Sequence, residues 1–287
     1  MSLSDLPLRQ SQLLKFVEPL LNDMPASAWK HALFEAFWSQ RRDLLAIEDV
    51  FLKLVEYPGL GPGLASFFAG WWQVHDGLRV DAIPARCLES LAADSPSACG
   101  YREWAEASLG QGRPGAGAPP GAGQDRAPQL FQAMAGLACG NDRWLQRTHR
   151  VPAALEFRRW LEAGCLDGQL PGLQANLVRQ VYVLGEARYL QPLLQRWLAG
   201  TQGWPAQLAP AAQAWCQLHA GSLQEARFQS ALAAVDACTE AMAIAPDEPA
   251  ARNLFAQYLQ RRSRAMLACA RVLPADSSPN PSGHPHE

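Results

Sequence analysis

Apolar residues recur at helical spacing along almost the whole chain, and this periodicity restricts the fold more than any other feature. Leu13, Leu14, Val17, Leu20 and Leu21 fall on one face of a first helix, because side chains three and four apart point the same way. Trp29, Leu33, Ala36 and Phe37 mark a second, with Pro25 and Ser27 signalling its start. Ile47, Val50, Phe51, Leu54 and Val55 form a third, ended by Tyr57-Pro58-Gly59. Leu64, Phe67, Phe68, Trp71 and His75 make a fourth, and residues 88–92 and 101–109 suggest two shorter helices. The pattern resumes at 130–137, where Gly140-Asn141 stops it, and at 155–165. Leu177, Val181 and Leu184 carry the next helix, with Gly185 read as a turn. Leu190, Leu193, Leu194, Trp197 and Leu198 then form a separate stripe, and residues 211–219, 223–244 and 249–272 complete the series. Val181 to Val183 is the one β-branched and aromatic run, and it sits inside a helical pattern. The reading is all-α.

Two segments lack any such stripe. Residues 110–128, GQGRPGAGAPPGAGQDRAP, contain no large aliphatic or aromatic side chain, and residues 275–287 have the same character. Neither can bury enough surface to offset the entropy of ordering it. They are expected to be a flexible linker and a disordered tail, leaving an N-terminal helical block at 1–109 and a C-terminal block at 129–274.

With 48% hydrophobic and 18% charged residues the chain reads as a folded globule, and a formal charge of -2 provides no basic excess for nucleic acid. No apolar run approaches the length of a membrane span. Met1 to Asp5 begins no secretory leader, so a cytoplasmic protein is expected. Arg supplies most of the positive charge, with Lys only at 15, 30 and 53, and the Ala, Gly and Pro content fits a bacterial source. Seven widely spaced cysteines include no C-x-x-C pair, which favours small buried side chains over disulfides or zinc.

Between residues 214 and 260, Ala234, Cys238, Ala241 and Pro246 have the small–bulky–small–proline spacing that resembles the second helix of a tetratricopeptide repeat. Small residues let two helices approach, and the proline ends the second one. Trp215 and Leu218 begin the first-helix signature, while Cys238, His219 and Ser222 depart from the family's pattern. The resemblance implies an N-terminal bundle followed by a solenoid-like region whose concave face holds a peptide or a partner protein.

Chemical motifs are sparse. There is no phosphate loop, dinucleotide fingerprint, H-E-x-x-H or G-x-S-x-G, and no cofactor is expected. The leading expectation is therefore a non-catalytic adaptor, co-chaperone or assembly factor. Trp38, Trp72, Trp215 and the basic residues Arg143, Arg147 and Arg150 are its candidate contact residues. The arginines lie in a cluster with His149, Arg158 and Arg159, interleaved with Trp144 and Trp160, and Arg both pairs with anions and stacks on rings. The alternative is a helical non-haem iron oxidase of the haem-oxygenase-like kind. His31 and Glu35, at i and i+4, would share a metal with His75, and Glu48, Asp49 and Asp76 could add oxygen ligands.

Overall fold

The computed structural model describes residues 10–57, 62–75, 126–166, 170–200 and 204–273. The described residues are all-α, with no strand among them. In chain order the α-helices are α1 (Gln12–Asp23), α2 (Ala28–Ser39), α3 (Arg41–Glu56), α4 (Pro62–His75) and α5 (Arg126–Cys139). A 3-10 helix (Asp142–Arg150) precedes α6 (Pro152–Leu166), α7 (Leu170–Gly200), α8 (Leu208–Ala220), α9 (Ser222–Ala241) and α10 (Glu248–Ala270).

Several boundaries follow from side-chain capping. Ser11, Ser27 and Asp247 accept hydrogen bonds from the backbone N–H groups of Leu14, Lys30 and Ala250, which the first turns of α1, α2 and α10 would otherwise leave unpaired. Gly140 adopts a positive φ of 69° just past α5, the left-handed conformation that ends helices and that glycine takes without strain.

Two helices organise the rest. The long α7 packs against α1, α3, α6, α8, α9 and α10, while α10 packs against α2, α3, α4, α6 and α7. Helices from before and after residues 110–128 thus share one core, in which Leu13, Phe37, Phe51, Trp71, Val181 and Phe255 are all fully buried. In a solenoid each helix pair touches only its sequence neighbours. The packing of α10 on α2 departs from that pattern among the described residues. Ala234 and Cys238 are buried on α9, and Pro246 lies exposed in the turn before α10.

Gly185 corrects a second expectation. It is no turn but lies in the middle of the continuous, 31-residue α7. A Cβ there would come within 2.5 Å of Val17 Cγ2 and 3.3 Å of Leu13 Cδ2, so the glycine is what lets α1 lie directly on α7. A third correction concerns the Gly/Pro segment. Helix α5 already begins at Arg126, inside the 110–128 stretch read as linker; the rest of that stretch, the two short helices at 88–92 and 101–109, and the 275–287 tail lie outside the described residues.

Candidate active site in the bundle interior

Four helices each turn an aromatic residue and an ionisable or polar one toward the same interior point. The spacing is three or four residues in every case, one helical turn. These pairs are Trp71 and His75 on α4, Tyr182 and Glu186 on α7, Trp215 and His219 on α8, and Tyr258 and Arg262 on α10. All eight side chains are buried, and Glu186 and Arg262 have no exposure at all.

An ion pair lies at the middle. Arg262 Nη2 donates to both carboxylate oxygens of Glu186, at 3.0 and 2.8 Å, one charged amino group shared between two charged acceptors. A second Arg262 nitrogen donates to the Val74 carbonyl at 3.0 Å, and the Tyr182 ring lies 4.2 Å from the guanidinium carbon. The Trp71 indole N–H donates to Glu186 at 3.4 Å, and His75 Nε2 stands 3.9 Å from the same oxygen. The Tyr182 hydroxyl lies beside Glu186 and Arg262 without a well-aligned hydrogen bond to either.

Rings close around this pair. The His75 ring is 5.0 Å from Trp215 and 4.9 Å from His219, centroid to centroid. Trp71 is 5.3 Å from Trp215 and 5.1 Å from Phe131 of α5, both edge-on. A chain of amides continues on one side: Gln224 donates to the Gln180 side chain at 2.6 Å, with His219 Nδ1 3.4 Å from the Gln224 side-chain oxygen. Arg179, one turn before Tyr182, donates to the His75 carbonyl at 2.9 Å.

Burial and charge set the protonation states. Burial, with added repulsion from Arg262, Arg179 and Arg227, pulls the His75 imidazole down to about 3 despite the opposing pull of Glu186, so it is neutral near neutral pH. Burial, the largest single influence, would raise the Glu186 carboxyl, but the Arg262 guanidinium, with smaller contributions from His75 and Tyr182, holds it below the usual range. Burial and then the Glu186 charge push the Cys216 thiol up to about 12. The indole N–H of Trp215, the Nε atoms of Arg179 and Arg262 and the Ser263 hydroxyl are buried with no hydrogen-bond partner. Native interiors rarely leave such groups unpaired.

A groove of about 280 Å³ runs between α7 and α8, lined by Gln191, Leu194, Gln195, Leu198, Ala199, Ala209, Ala212, Gln213 and Cys216. Its floor at Cys216 adjoins Trp215 of the interior cluster in sequence.

The residues selected from sequence fall elsewhere, with two exceptions. His31 and Glu35 are on the outer face of α2, where they pair with Glu248 at 3.1 Å and Arg252 at 2.6 Å. Arg262, against which His75 is gathered, is ten residues beyond Arg252 on the same helix, a rise of about 15 Å. His31, Glu35 and His75 therefore do not converge, and the iron-site geometry is corrected. Among the described residues no three His, Cys, Asp or Glu side chains come together as a metal cage. Glu48 is buried and accepts from Ser11 Oγ and the Leu13 N–H at the start of α1, at 2.6 and 2.8 Å; Asp76 lies outside the described residues.

Of the candidate contact residues, Trp38 is 53% exposed and stacks on Phe34, with Arg41 over its ring. Arg143 is exposed on the 3-10 helix, while the side chains of Arg147 and Arg150 lie outside the described residues. Trp72 is half-buried against Phe131 and Trp144. Trp215, assigned to a contact surface, is fully buried in the interior cluster. Sequence reasoning missed Glu186, Arg262, Tyr182, Arg179 and His219. A signal was present for part of them: W-x-x-x-H occurs twice, at Trp71–His75 and Trp215–His219, and Glu186 and Arg262 are charges set on otherwise apolar helix faces.

No protein-family model and no curated protein matches the sequence. Among solved structures, a TenA homologue from Pseudomonas syringae pv. tomato is similar over 88% of this chain and 93% of its own, with a TM-score of 0.53 and 11% identity. The likeness is one of fold. It overturns the expectation of a non-catalytic adaptor with an open concave face, since nearly the whole chain follows a fold whose helices here close around a buried ionic cluster.

Proposed function

We propose that this chain is an enzyme that performs acid–base chemistry on a small planar molecule held inside the bundle. The observation that carries this reading is the fully buried Glu186–Arg262 pair with the neutral His75 3.9 Å away inside an aromatic wall. Strongly perturbed groups gathered at one interior point are a common mark of a working site. Stability alone does not call for them, because a buried ion pair barely repays its own desolvation. The similarity to a TenA homologue supports the shape in which such a site sits, not the reaction.

Each group has a role in this scheme. Trp71, Trp215 and Phe131 offer ring faces and edges to a planar substrate. His75 is uncharged and a weak base at rest, held so by burial and by the charges of Arg262, Arg179 and Arg227. It accepts a proton from the substrate once the bound molecule offsets that positive field. The imidazolium so formed is stabilised by the Glu186 carboxylate, the same division of labour by which a carboxylate supports a catalytic histidine elsewhere. Arg262 keeps Glu186 ionised and aimed. Because water is excluded, each of these charges acts more strongly than it would at the surface.

The test is a thermal-shift screen of the full chain against small planar metabolites, followed by turnover of the hits read by mass spectrometry. Compounds that stabilise the wild type should stabilise His75→Gln and Glu186→Gln far less, and His75→Gln should convert none of them. Hits that stabilise both variants as well as the wild type would place binding outside the interior cluster and overturn the proposal.

A further inference from the structure

The charges gathered in the interior do not cancel. Glu186 is committed to Arg262 through both oxygens. Arg179 is a second guanidinium, also on α7, with only 9% of its surface exposed. Among the described residues its side chain donates to a neutral group, the His75 carbonyl, and its Nε meets no acceptor. Arginine does not shed its proton in proteins, and this buried cation has no carboxylate partner among the described residues. An unpaired buried cation is costly to keep, and the natural complement is an anion brought by the ligand.

We infer that the interior site takes a substrate bearing an oxyanion, a carboxylate or a phosphate, and that Arg179 is the residue that binds it. The inference rests on the proposal that the interior cluster is the site, and it adds the charge class of the substrate. Geometry makes the assignment specific. Arg179 stands one turn from Tyr182 and two from Glu186 on the same face of α7, and its hydrogen bond to the His75 main chain ties it to the proton-accepting imidazole. An anion at the free Arg179 edge would hold the planar part of its molecule toward Trp71, Trp215 and His75. The same positive field acts on its neighbours: Arg179 lowers the His75 pKa in the same direction as burial, and pulls the Tyr258 pKa down against burial.

The experiment is titration calorimetry on the full chain with matched probes: benzoate and nicotinate, their uncharged amides, and inorganic phosphate, each at constant ionic strength. A charge-assisted hydrogen bond in a buried site predicts that the carboxylate binds about tenfold or more tightly than its amide. Arg179→Met should erase that preference, and Arg179→Lys should retain part of it, which also covers the case in which Arg179→Met does not fold. Binding of phosphate in place of the carboxylates, with the same dependence on Arg179, would assign the oxyanion to a phosphoryl group. Equal affinity for carboxylate and amide, carboxylate binding unchanged in both Arg179 variants, or no anion bound at all would overturn the inference. An uncharged planar ligand that binds wild type, fails with His75→Gln and ignores Arg179 would refute the anion alone and leave the interior site standing.

Discussion

Replacing Glu186 by Gln keeps the shape of the side chain and removes its charge. The consequence can be worked from the geometry. Both partners of the Glu186–Arg262 pair are wholly buried, and both guanidinium–carboxylate contacts are 3.0 Å or shorter. The variant therefore leaves the buried Arg262 charge with uncharged neighbours: the Gln side-chain oxygen, the Val74 carbonyl, the Tyr258 hydroxyl and the Tyr182 ring. Breaking a buried pair from one side costs about 3–5 kcal/mol, a large share of the roughly 5–15 kcal/mol that holds a domain together. At about 2–4 °C per kcal/mol for a chain of this size, the melting temperature should fall by roughly 10 °C. The double substitution Glu186→Leu with Arg262→Met behaves differently. It removes both desolvation costs and leaves apolar side chains of similar length, so stability should return to within about 1 kcal/mol of wild type or exceed it. The assay is chemical denaturation of wild type, Glu186→Gln, and a cycle made of Glu186→Leu, Arg262→Met and their double variant. A cost below about 1 kcal/mol for Glu186→Gln would mean that Arg262 is not desolvated. A double variant as unstable as the sum of the singles would mean that the two side chains are not coupled, and the reading of Glu186 and Arg262 as one buried ion pair would fail.

Three further outcomes follow from the same geometry. Because folding lowers His75 from its ordinary 6.5 to about 3, the unfolded chain binds the extra proton over that window. Stability should thus fall as pH drops from about 6.5 toward 3, by roughly 1 kcal/mol per pH unit; His75→Phe should flatten the slope measured by denaturation at a series of pH values, and an unchanged slope would refute the assignment. Gly185→Ala should destabilise the protein by about 1–3 kcal/mol despite alanine's better helix propensity, since its Cβ would sit 2.5 Å from Val17 Cγ2; Val17→Ala should recover part of the loss, and a stabilised single variant would show that α1 does not lie against α7 there. Burial holds the Cys216 and Cys269 thiols up at about 12, so iodoacetamide at pH 8 should label peptides containing the half-buried Cys139 before those containing Cys216 or Cys269. Early labelling of Cys216 or Cys269 would contradict their burial.

The helices themselves were legible because their stripes are local. Leu13, Val17 and Leu21, then Trp29, Leu33, Ala36 and Phe37, then Ile47, Val50, Phe51 and Leu54 are all buried as their spacing requires. Gly185 was misleading for a physical reason: a glycine that ends a helix and one that admits a neighbouring helix look alike in sequence, and only the position of Val17 separates them. The interior cluster was harder still. Glu186 and Arg262 are 76 residues apart in the chain, and no local spacing links them. His75 was singled out, but with His31 and Glu35, whose partners Glu248 and Arg252 lie toward the other end of α10. The adaptor reading drew on Trp215 as a surface ring, whereas the aromatic surplus is spent largely on a wall around the Glu186–Arg262 pair.

The most direct measurement is a crystal structure of the full chain with a compound that stabilises it in the thermal-shift screen. The account predicts ligand density against Trp71, Trp215 and His75, with any oxyanion at Arg179. Density confined to the α7–α8 groove or the outer surface, with the interior side chains unmoved, would contradict it.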